Sequence, residues 1–326
     1  MRPTQWLRPV AAGSITAGLI AAALPALLTA QAAEPAVLTV FAAGTLAVPF
    51  KTINALFESQ NAGVTVQAQY GGSVKMAKQI TELHQDADIL AVADYNVIPK
   101  YMFAAPAHAS WYAGIARNAI TFVYTDKSKF AGEIDAGNWY KVLARPGVEI
   151  GRSNPDTDPS GYQTVQMLDL AEKFYNAPGL EQGILANAPQ KNMRDTETAL
   201  ISALQLGEID YLAIYRSDAL QRHLKFIDLP AKIDLSEPAQ AASYKQGVAH
   251  TKNGDLTATP IVYAITTVNG SQNAALAENY VALVLSPPGQ AVMKDNGFGD
   301  FHPAYAENVA AMPVDLQKLV RPWPGS

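Results

Sequence analysis

Short runs of apolar and β-branched residues alternate along the chain with longer stretches in which apolar residues recur at helical spacing. After the first run, Phe50, Ile53 and Phe57 share one face of a predicted helix. The alternation of strand and helix patterns predicts an α/β fold, with mixed, mainly parallel sheets flanked by helices. Three early runs predict successive strands: residues 38–41, 64–68 and 89–92.

Each of these predicted strands ends in small or polar residues. Gly44-Thr45 follows the first strand, Gly72-Ser73 the second and Asp94 the third. Ligands of open α/β sheets bind at the carboxyl ends of strands. A hydroxyl beside the free N–H groups of a helix start forms an anion site without Lys or Arg. Thr45 and Ser73 are therefore candidate ligand-binding residues, although Ser and Thr also serve as ordinary helix N-caps.

Two further apolar runs, residues 120–124 and 261–266, lie far apart in the sequence. We interpret them as the places where the chain crosses between two lobes. One lobe then comprises residues 33–119 and 261–326, and the other comprises residues 120–260. A chain of this length has enough residues for two such units.

The N-terminus has the pattern of a secretory signal peptide. Arg2 and Arg8 precede an apolar stretch over residues 11–30, and Ala30-Gln31-Ala32 forms a cleavage site. We predict that residues 1–32 are removed on export to the periplasm. The alternative, a membrane anchor, is disfavoured by Pro25 within the apolar stretch and by the cleavage site that follows it.

Composition narrows the function further. The full chain has a net charge of −5, and losing the two arginines of residues 1–32 takes it to −7. An acidic protein of this kind lacks the electrostatic footprint of nucleic-acid binding. The chain has no cysteine, and its five histidines show no metal-ligand spacing. No resident metal or cofactor is therefore predicted.

Two polar segments in the second predicted lobe are candidate ligand loops. In the first, residues 153–162, Asp158 is a natural N-cap and Pro159 a natural first helical residue. In the second, Glu208 precedes a strand that ends at Tyr215. Ordinary helix capping also accounts for the pattern of the first segment. A helix that ends just before a strand also accounts for the pattern of the second.

Several segments together resemble the molybdate/tungstate-binding proteins of ABC transporters, and most closely the tungstate-binding branch known from archaea. The similarity covers nearly all of the chain after the signal peptide, in the same order. Ser160 stands where the family often has cysteine, and the chain between Tyr175 and Ala199 is shorter than in many archaeal members. The segments are LTVFAAGTLAVPF (38–50), YGGSVKMAKQITELHQDADILAVADYNVIPK (70–100), SNPDTDPSGY (153–162), LGEIDYLAIYRSDALQRH (206–223) and ATPIVYAI (258–265).

The resemblance implies a two-lobed periplasmic binding protein, type II-like, with an oxyanion in the cleft between its lobes. It implies two carboxylates, Asp158 and Glu208, that approach the molybdenum or tungsten atom of the ligand. It also implies an inner-membrane ABC permease as partner, and we expect the binding protein to be a monomer. The remaining ligand-binding residues that it implies are Thr45, Ser73, Ser160, Gly161 and Tyr215.

Carboxylates beside a dianion would repel it, unless they become ligands of a metal atom that can expand its coordination. Sulfate and phosphate cannot expand in that way. A second possibility is that one carboxylate accepts the proton of hydrogen phosphate, which would make the protein a phosphate binder. A periplasmic sensor and a hydrolase that uses the two carboxylates are the further alternatives.

Overall fold

The structure, a computed structural model, describes residues 35–323. The predicted signal peptide, residues 1–32, lies outside the described residues. The strands are β1 Ala36–Ala43, β2 Val64–Gly71, β3 Ile89–Val92, β4 Tyr112–Arg117, β5 Ile120–Tyr124, β6 Ile150–Ser153, β7 Met193–Arg194, β8 Tyr211–Tyr215, β9 Lys225–Phe226, β10 Val248–Thr251, β11 Gly254–Thr257, β12 Val262–Thr267, β13 Ala304–Glu307 and β14 Val320–Pro322.

The helices lie mostly between these strands, as the sequence pattern predicts. They are α1 Ala47–Gln60, α2 Ser73–Thr81, α3 Val97–Met102, α4 Trp139–Leu143, α5 Pro159–Phe174, α6 Leu180–Ala186, α7 Ile201–Leu206, α8 Arg216–Gln221, α9 Ala241–Tyr244, α10 Ala274–Leu285, α11 Pro287–Asp295 and α12 Val314–Gln317. Within residues 35–323, no helix combines the length and the apolar character that a bilayer crossing requires.

Two large sheets organise the molecule into two lobes. The first has seven strands in the order β14-β13-β4-β12-β3-β1-β2, and the second has five in the order β7-β6-β8-β5-β9. Strands β10 and β11 form a separate antiparallel hairpin. The expected two-lobed α/β fold with helices flanking mixed sheets is confirmed.

Fewer neighbouring strands run parallel than the sequence pattern predicts. Strand β1 runs parallel to β2 and β3, and β6 runs parallel to β7 and β8. Strand β12, however, is antiparallel to β3 and β4, and β5 is antiparallel to β8 and β9. The reason is topological: β5 and β12 each enter a sheet from the other lobe, and therefore run against the strands that end at that edge.

The chain passes between the two sheets twice. The first passage lies between Arg117 and Ile120, and the second lies between Thr257 and Val262. The lobe boundaries at residues 119/120 and 260/261 stay a prediction. Both passages join the sheets at the edge where six strands end: β1, β2 and β3 in one lobe and β6, β7 and β8 in the other. The residues that follow these strands therefore face one another.

Each sheet is held by apolar residues on its flanking helices. In the first lobe, Phe50 and Phe57 of α1 pack edge-to-face against Tyr280 of α10, with ring centroids 6.0 and 5.3 Å apart. In the second lobe, Trp139 of α4 is fully buried against Phe122 of β5. Burial of such large aromatic side chains dominates core energetics. This packing fixes the ends of the strands, where the polar residues lie.

Candidate functional site

In the seven-stranded lobe, the two predicted hydroxyl residues are buried at the ends of β1 and β2. Thr45 Oγ1 lies 2.8 Å from the phenol oxygen of Tyr263 on β12. Ser73 Oγ accepts a hydrogen bond from the backbone N–H of Ala93, just after β3, at 2.9 Å. Neither side chain caps its helix. The hydroxyls instead tie neighbouring strand ends together at the edge that faces the second lobe.

In the five-stranded lobe, Asp158 is the N-cap residue of α5 and Pro159 is its first residue, as the sequence pattern predicts. The Asp158 side chain makes no capping hydrogen bond. Its Oδ2 instead lies 2.6 Å from Ser160 Oγ. Ser160 Oγ also lies 2.8 Å from Glu197 Oε2 and 2.6 Å from Ser153 Oγ. One serine hydroxyl thus bridges two carboxyl groups, and all four side chains are buried.

The geometry around Ser160 indicates that this carboxyl pair carries a proton. A hydroxyl donates one hydrogen bond and accepts two. Ser160 Oγ is placed to donate to both Asp158 Oδ2 and Glu197 Oε2, but its single proton serves only one of them, so it can accept from the other and from Ser153. Ser153 supplies one accepted hydrogen bond, and a protonated carboxyl, Asp158 or Glu197, supplies the other.

Electrostatics agree with this proton count. Burial raises the pKa of Asp158, and burial together with the charge of Asp158 raises the pKa of Glu197 well above its usual range. Two carboxylates that share a buried site cannot both ionise at low cost. A positively charged atom bound between the two carboxyl groups would remove the cost of ionising both, because it would attract an oxygen of each.

Glu208, the predicted second carboxylate, does not belong to this cluster. It lies in an exposed turn after α7, where its backbone N–H donates to the carbonyl of Ala203 at 2.9 Å. Glu197 takes its place because β7 is hydrogen-bonded beside β6, and the 3-10 helix Glu197–Leu200 follows β7 directly. The sequence signal was a polar turn, Asp195-Thr196-Glu197, before an apolar run, in the segment that is shorter than in many archaeal proteins.

Tyr215 and Gly161 complete the predicted set. Tyr215, at the end of β8, is buried; its hydroxyl donates to Gln163 Oε1 at 2.6 Å, and its ring meets the edge of Tyr263 at 5.7 Å. Gly161 lies against the loop before it, where an added Cβ would come within 2.7 Å of three backbone atoms of residues 153–155. Its N–H donates to the carbonyl of Asp158 at 3.2 Å. Glycine is therefore required for the loop to fold back onto α5.

Two arginines that flank the candidate loops have different surroundings. Arg216 is exposed, and its guanidinium lies 5.3 Å from the ring centroid of Phe226. Arg152, on β6, buries Nε and Nη1 without a hydrogen-bond partner among residues 35–323. Burial lowers the pKa of Arg152, while Asp156 raises it. The structure thus gives neither arginine a contact with the carboxyl pair.

The two lobes contact each other directly around this cluster. Lys75 Nζ lies 2.6 Å from Asp195 Oδ2, and the Lys75 backbone N–H donates to the Thr157 carbonyl at 3.3 Å. Tyr162 Oη donates to the buried Asp94 Oδ2 at 2.7 Å. Since one member of each pair comes from each lobe, the structure represents a closed arrangement in which the carboxyl pair is sealed from solvent.

Two lobes that close over a buried polar cluster at their strand ends are the architecture of a solute-binding protein. A family model described as "Bacterial extracellular solute-binding protein" matches residues 38–299, and the chain belongs to that family. Its relatives include the molybdate/tungstate-binding protein WtpA of Pyrococcus abyssi, which is 35% identical over 291 residues and aligns over 81% of this chain and 84% of the relative. The predicted resemblance to molybdate/tungstate-binding proteins is confirmed.

Other similar proteins fit the same class. An uncharacterized solute-binding protein of Petrotoga mobilis is 37% identical over 290 residues, covering 87% of this chain and 90% of the relative. Among solved structures, the Azotobacter vinelandii periplasmic molybdate-binding protein matches with a TM-score of 0.60 at 19% identity, over 80% of this chain and 98% of the other. The sulfate-binding protein SubI of Mycobacterium tuberculosis matches with a TM-score of 0.56 at 15% identity, over 82% and 88%. These two structures support the fold alone.

Proposed function

We propose that the protein captures molybdate or tungstate in the periplasm and delivers it to an ABC importer. The observation that carries this proposal is the buried carboxyl pair, Asp158 and Glu197, bridged by Ser160 at the strand ends of one lobe. The hydroxyls of Thr45 and Ser73 lie at the facing strand ends of the other lobe.

Paired carboxyls favour a ligand whose central atom can accept further oxygen donors. Molybdenum(VI) and tungsten(VI) expand their coordination beyond four oxygens, and hard, high-valent metals prefer carboxylate oxygens. On binding, the shared proton leaves the pair and both carboxylates become ligands. Sulfate and phosphate have no such open positions, so the same carboxylates repel them and provide selectivity.

The contacts between the lobes support a delivery role. Each lobe contributes polar groups to one site, so a bound anion stabilises the closed form over the open one. A membrane permease can then distinguish the loaded protein by its shape. The family relationship to WtpA supports the same ligand class.

The test is isothermal titration calorimetry of the protein, purified from the periplasm, with molybdate, tungstate, sulfate and phosphate. We expect tight binding of the first two anions only. Glu197→Gln should weaken molybdate binding by about 2–5 kcal/mol, or roughly 30- to several thousand-fold in Kd, because it removes one buried charged donor. Asp158→Asn should have an effect of the same order.

Glu208→Gln is the matched control, since it makes the same chemical change on an exposed turn of the same lobe. It should change Kd by less than about twofold. Equal losses in Glu197→Gln and Glu208→Gln would contradict the proposed site. Tight binding of phosphate or sulfate would contradict the proposed ligand and favour a phosphate- or sulfate-binding role.

A further inference from the structure

A third buried acid lies at the same strand edge as the carboxyl pair. Strands β7, β6 and β8 are neighbours in the five-stranded sheet and run parallel. Each is followed within five residues by a buried acid: Glu197 after β7, Asp158 after β6 and Asp218 after β8. The first two are accounted for by the proposed anion site, and Asp218 is not.

Asp218 is only half satisfied by its surroundings. Its Oδ1 accepts a hydrogen bond from Arg222 Nη1 at 2.8 Å, one turn along α8. Its Oδ2 is buried and has no hydrogen-bond partner among residues 35–323. Burial is the largest cause of a pKa of about 7 for Asp218, a net value that Arg222 lowers and Asp158 raises. A buried oxygen without a donor favours the protonated carboxyl.

The charged and titratable groups around Asp218 are mostly acidic. Across the strand edge, the charges of Asp158, Asp218 and Glu197 act on one another, and Asp218 also raises the pKa of Tyr263 on β12. On β8, the neighbouring titratable group is the buried phenol of Tyr215.

The cations near Asp218 are few. Arg222 is its direct partner, whereas Arg216 of the same helix is exposed over Phe226. Lys225 of β9 is exposed and paired with Asp126, and β5 contributes no charged side chain. Ionisation of Asp218 therefore adds negative charge to a region that already holds two acids.

We propose that Asp218 links anion capture to proton uptake: a dianionic oxyanion is held most tightly while Asp218 is protonated, and loss of that proton weakens binding. The proton comes from solvent and resides on the Asp218 carboxyl. This inference rests on the proposed function, since it assumes that the anion binds beside Asp158 and Glu197. Asp218 acts through the charge of the site and is a positioning residue rather than a ligand.

The sign of the effect separates Asp218 from the carboxyl pair. Asp158 and Glu197 must lose their shared proton to become ligands, so they weaken binding towards acid pH. Asp218 gains a proton on binding, so it weakens binding as pH rises through the pKa of about 7. A group of this kind lowers affinity by up to about tenfold per pH unit above that pKa.

The experiment measures molybdate Kd by calorimetry from about pH 6 to about pH 8 for the wild-type protein and for Asp218→Asn, in non-phosphate buffers. Asparagine mimics the protonated acid, so the two proteins should bind almost equally near pH 6. The wild-type Kd relative to that of Asp218→Asn should then rise about tenfold by pH 8. Repeating the titrations in buffers of different ionisation enthalpy should show up to about one more proton taken up by the wild type.

Two further variants complete the test. His223→Gln, an exposed titratable neighbour, should leave the wild-type profile unchanged. Arg222→Gln removes the cation that lowers the pKa of Asp218, and should shift the loss of molybdate affinity to higher pH. This variant tests the inference even if Asp218→Asn does not fold. Parallel pH profiles for the wild type and Asp218→Asn, or an unshifted profile in Arg222→Gln, would overturn this inference alone. Absence of molybdate binding at every pH would overturn the proposed function and this inference with it.

Discussion

Gly72 lies between β2 and α2, where its backbone faces residues of the other lobe. A Cβ added at this position would lie 2.4 Å from the Thr157 carbonyl oxygen, 3.0 Å from the Asp195 carbonyl oxygen and 3.1 Å from Asp158 Cβ. All three neighbours belong to the other lobe, and two of them are backbone atoms. Gly72 itself has φ −60° and ψ 133°, a conformation that alanine adopts without strain. Gly72→Ala is therefore a substitution whose cost falls on the closed arrangement.

The magnitude follows from the distances. An ordinary contact between carbon and a neighbouring heavy atom is about 3.5 Å, so the lobes must separate locally by about 1 Å to accommodate the new methyl group. Overpacking of this kind costs about 1–3 kcal/mol. If ligand binding requires closure, Gly72→Ala should raise the molybdate Kd by roughly 5- to 150-fold.

The assay is calorimetric titration of the wild type, Gly72→Ala and Gly132→Ala, together with thermal unfolding without ligand. Gly132 is the control, because its added Cβ would meet no atom within 4 Å and its residue is exposed. Gly132→Ala should unfold at or slightly above the wild-type temperature, since replacing glycine restricts the unfolded chain. Wild-type affinity in Gly72→Ala would refute the reasoning, because binding would then not require this approach of the lobes.

Three further predictions concern closure and pH. Tyr162→Phe removes the hydroxyl that donates to buried Asp94. It should weaken the binding free energy of the ligand by about 1–3 kcal/mol, and an unchanged Kd would contradict a role in closure. Lys75→Met removes the exposed contact with Asp195. It should weaken ligand binding by less than about 1 kcal/mol, and this difference from the wild type should disappear when the titration is repeated at high salt. Burial raises the pKa of Asp94 and Glu197, so the folded protein binds more protons than the unfolded chain. Thermal unfolding without ligand should therefore occur at a higher temperature near pH 5.5 than near pH 8, and the opposite order would contradict the raised pKa values.

The sequence by itself determined several of the strands, and it predicts candidate ligand residues whose role stays a prediction. Apolar runs located β3 and β5 to the residue, because a buried strand needs continuous apolar residues whatever its neighbours are. The residues after β1, β2 and β6 were found because glycine, hydroxyl and N-cap residues mark the start of a helix locally. Thr45, Ser73 and Asp158 were identifiable from such local patterns.

The direction of the strands depended on tertiary structure. An apolar run has the same composition in either direction, so the antiparallel placement of β5 and β12 was not visible in the sequence. The two passages of the chain between the lobes decide it.

The partner of Asp158 was likewise decided by tertiary structure. Glu208 and Glu197 both stand in polar segments at the ends of a helix, and the sequence does not distinguish them by type. Glu197 is buried beside Asp158 because β7, only two residues long, pairs with β6 and directs the following turn to the same edge. Glu208 follows α7 at an exposed turn. Long-range strand pairing therefore decides which carboxyl groups lie together. It also decides whether they share a proton, because the pKa values of the two groups depend on burial and on neighbouring charge.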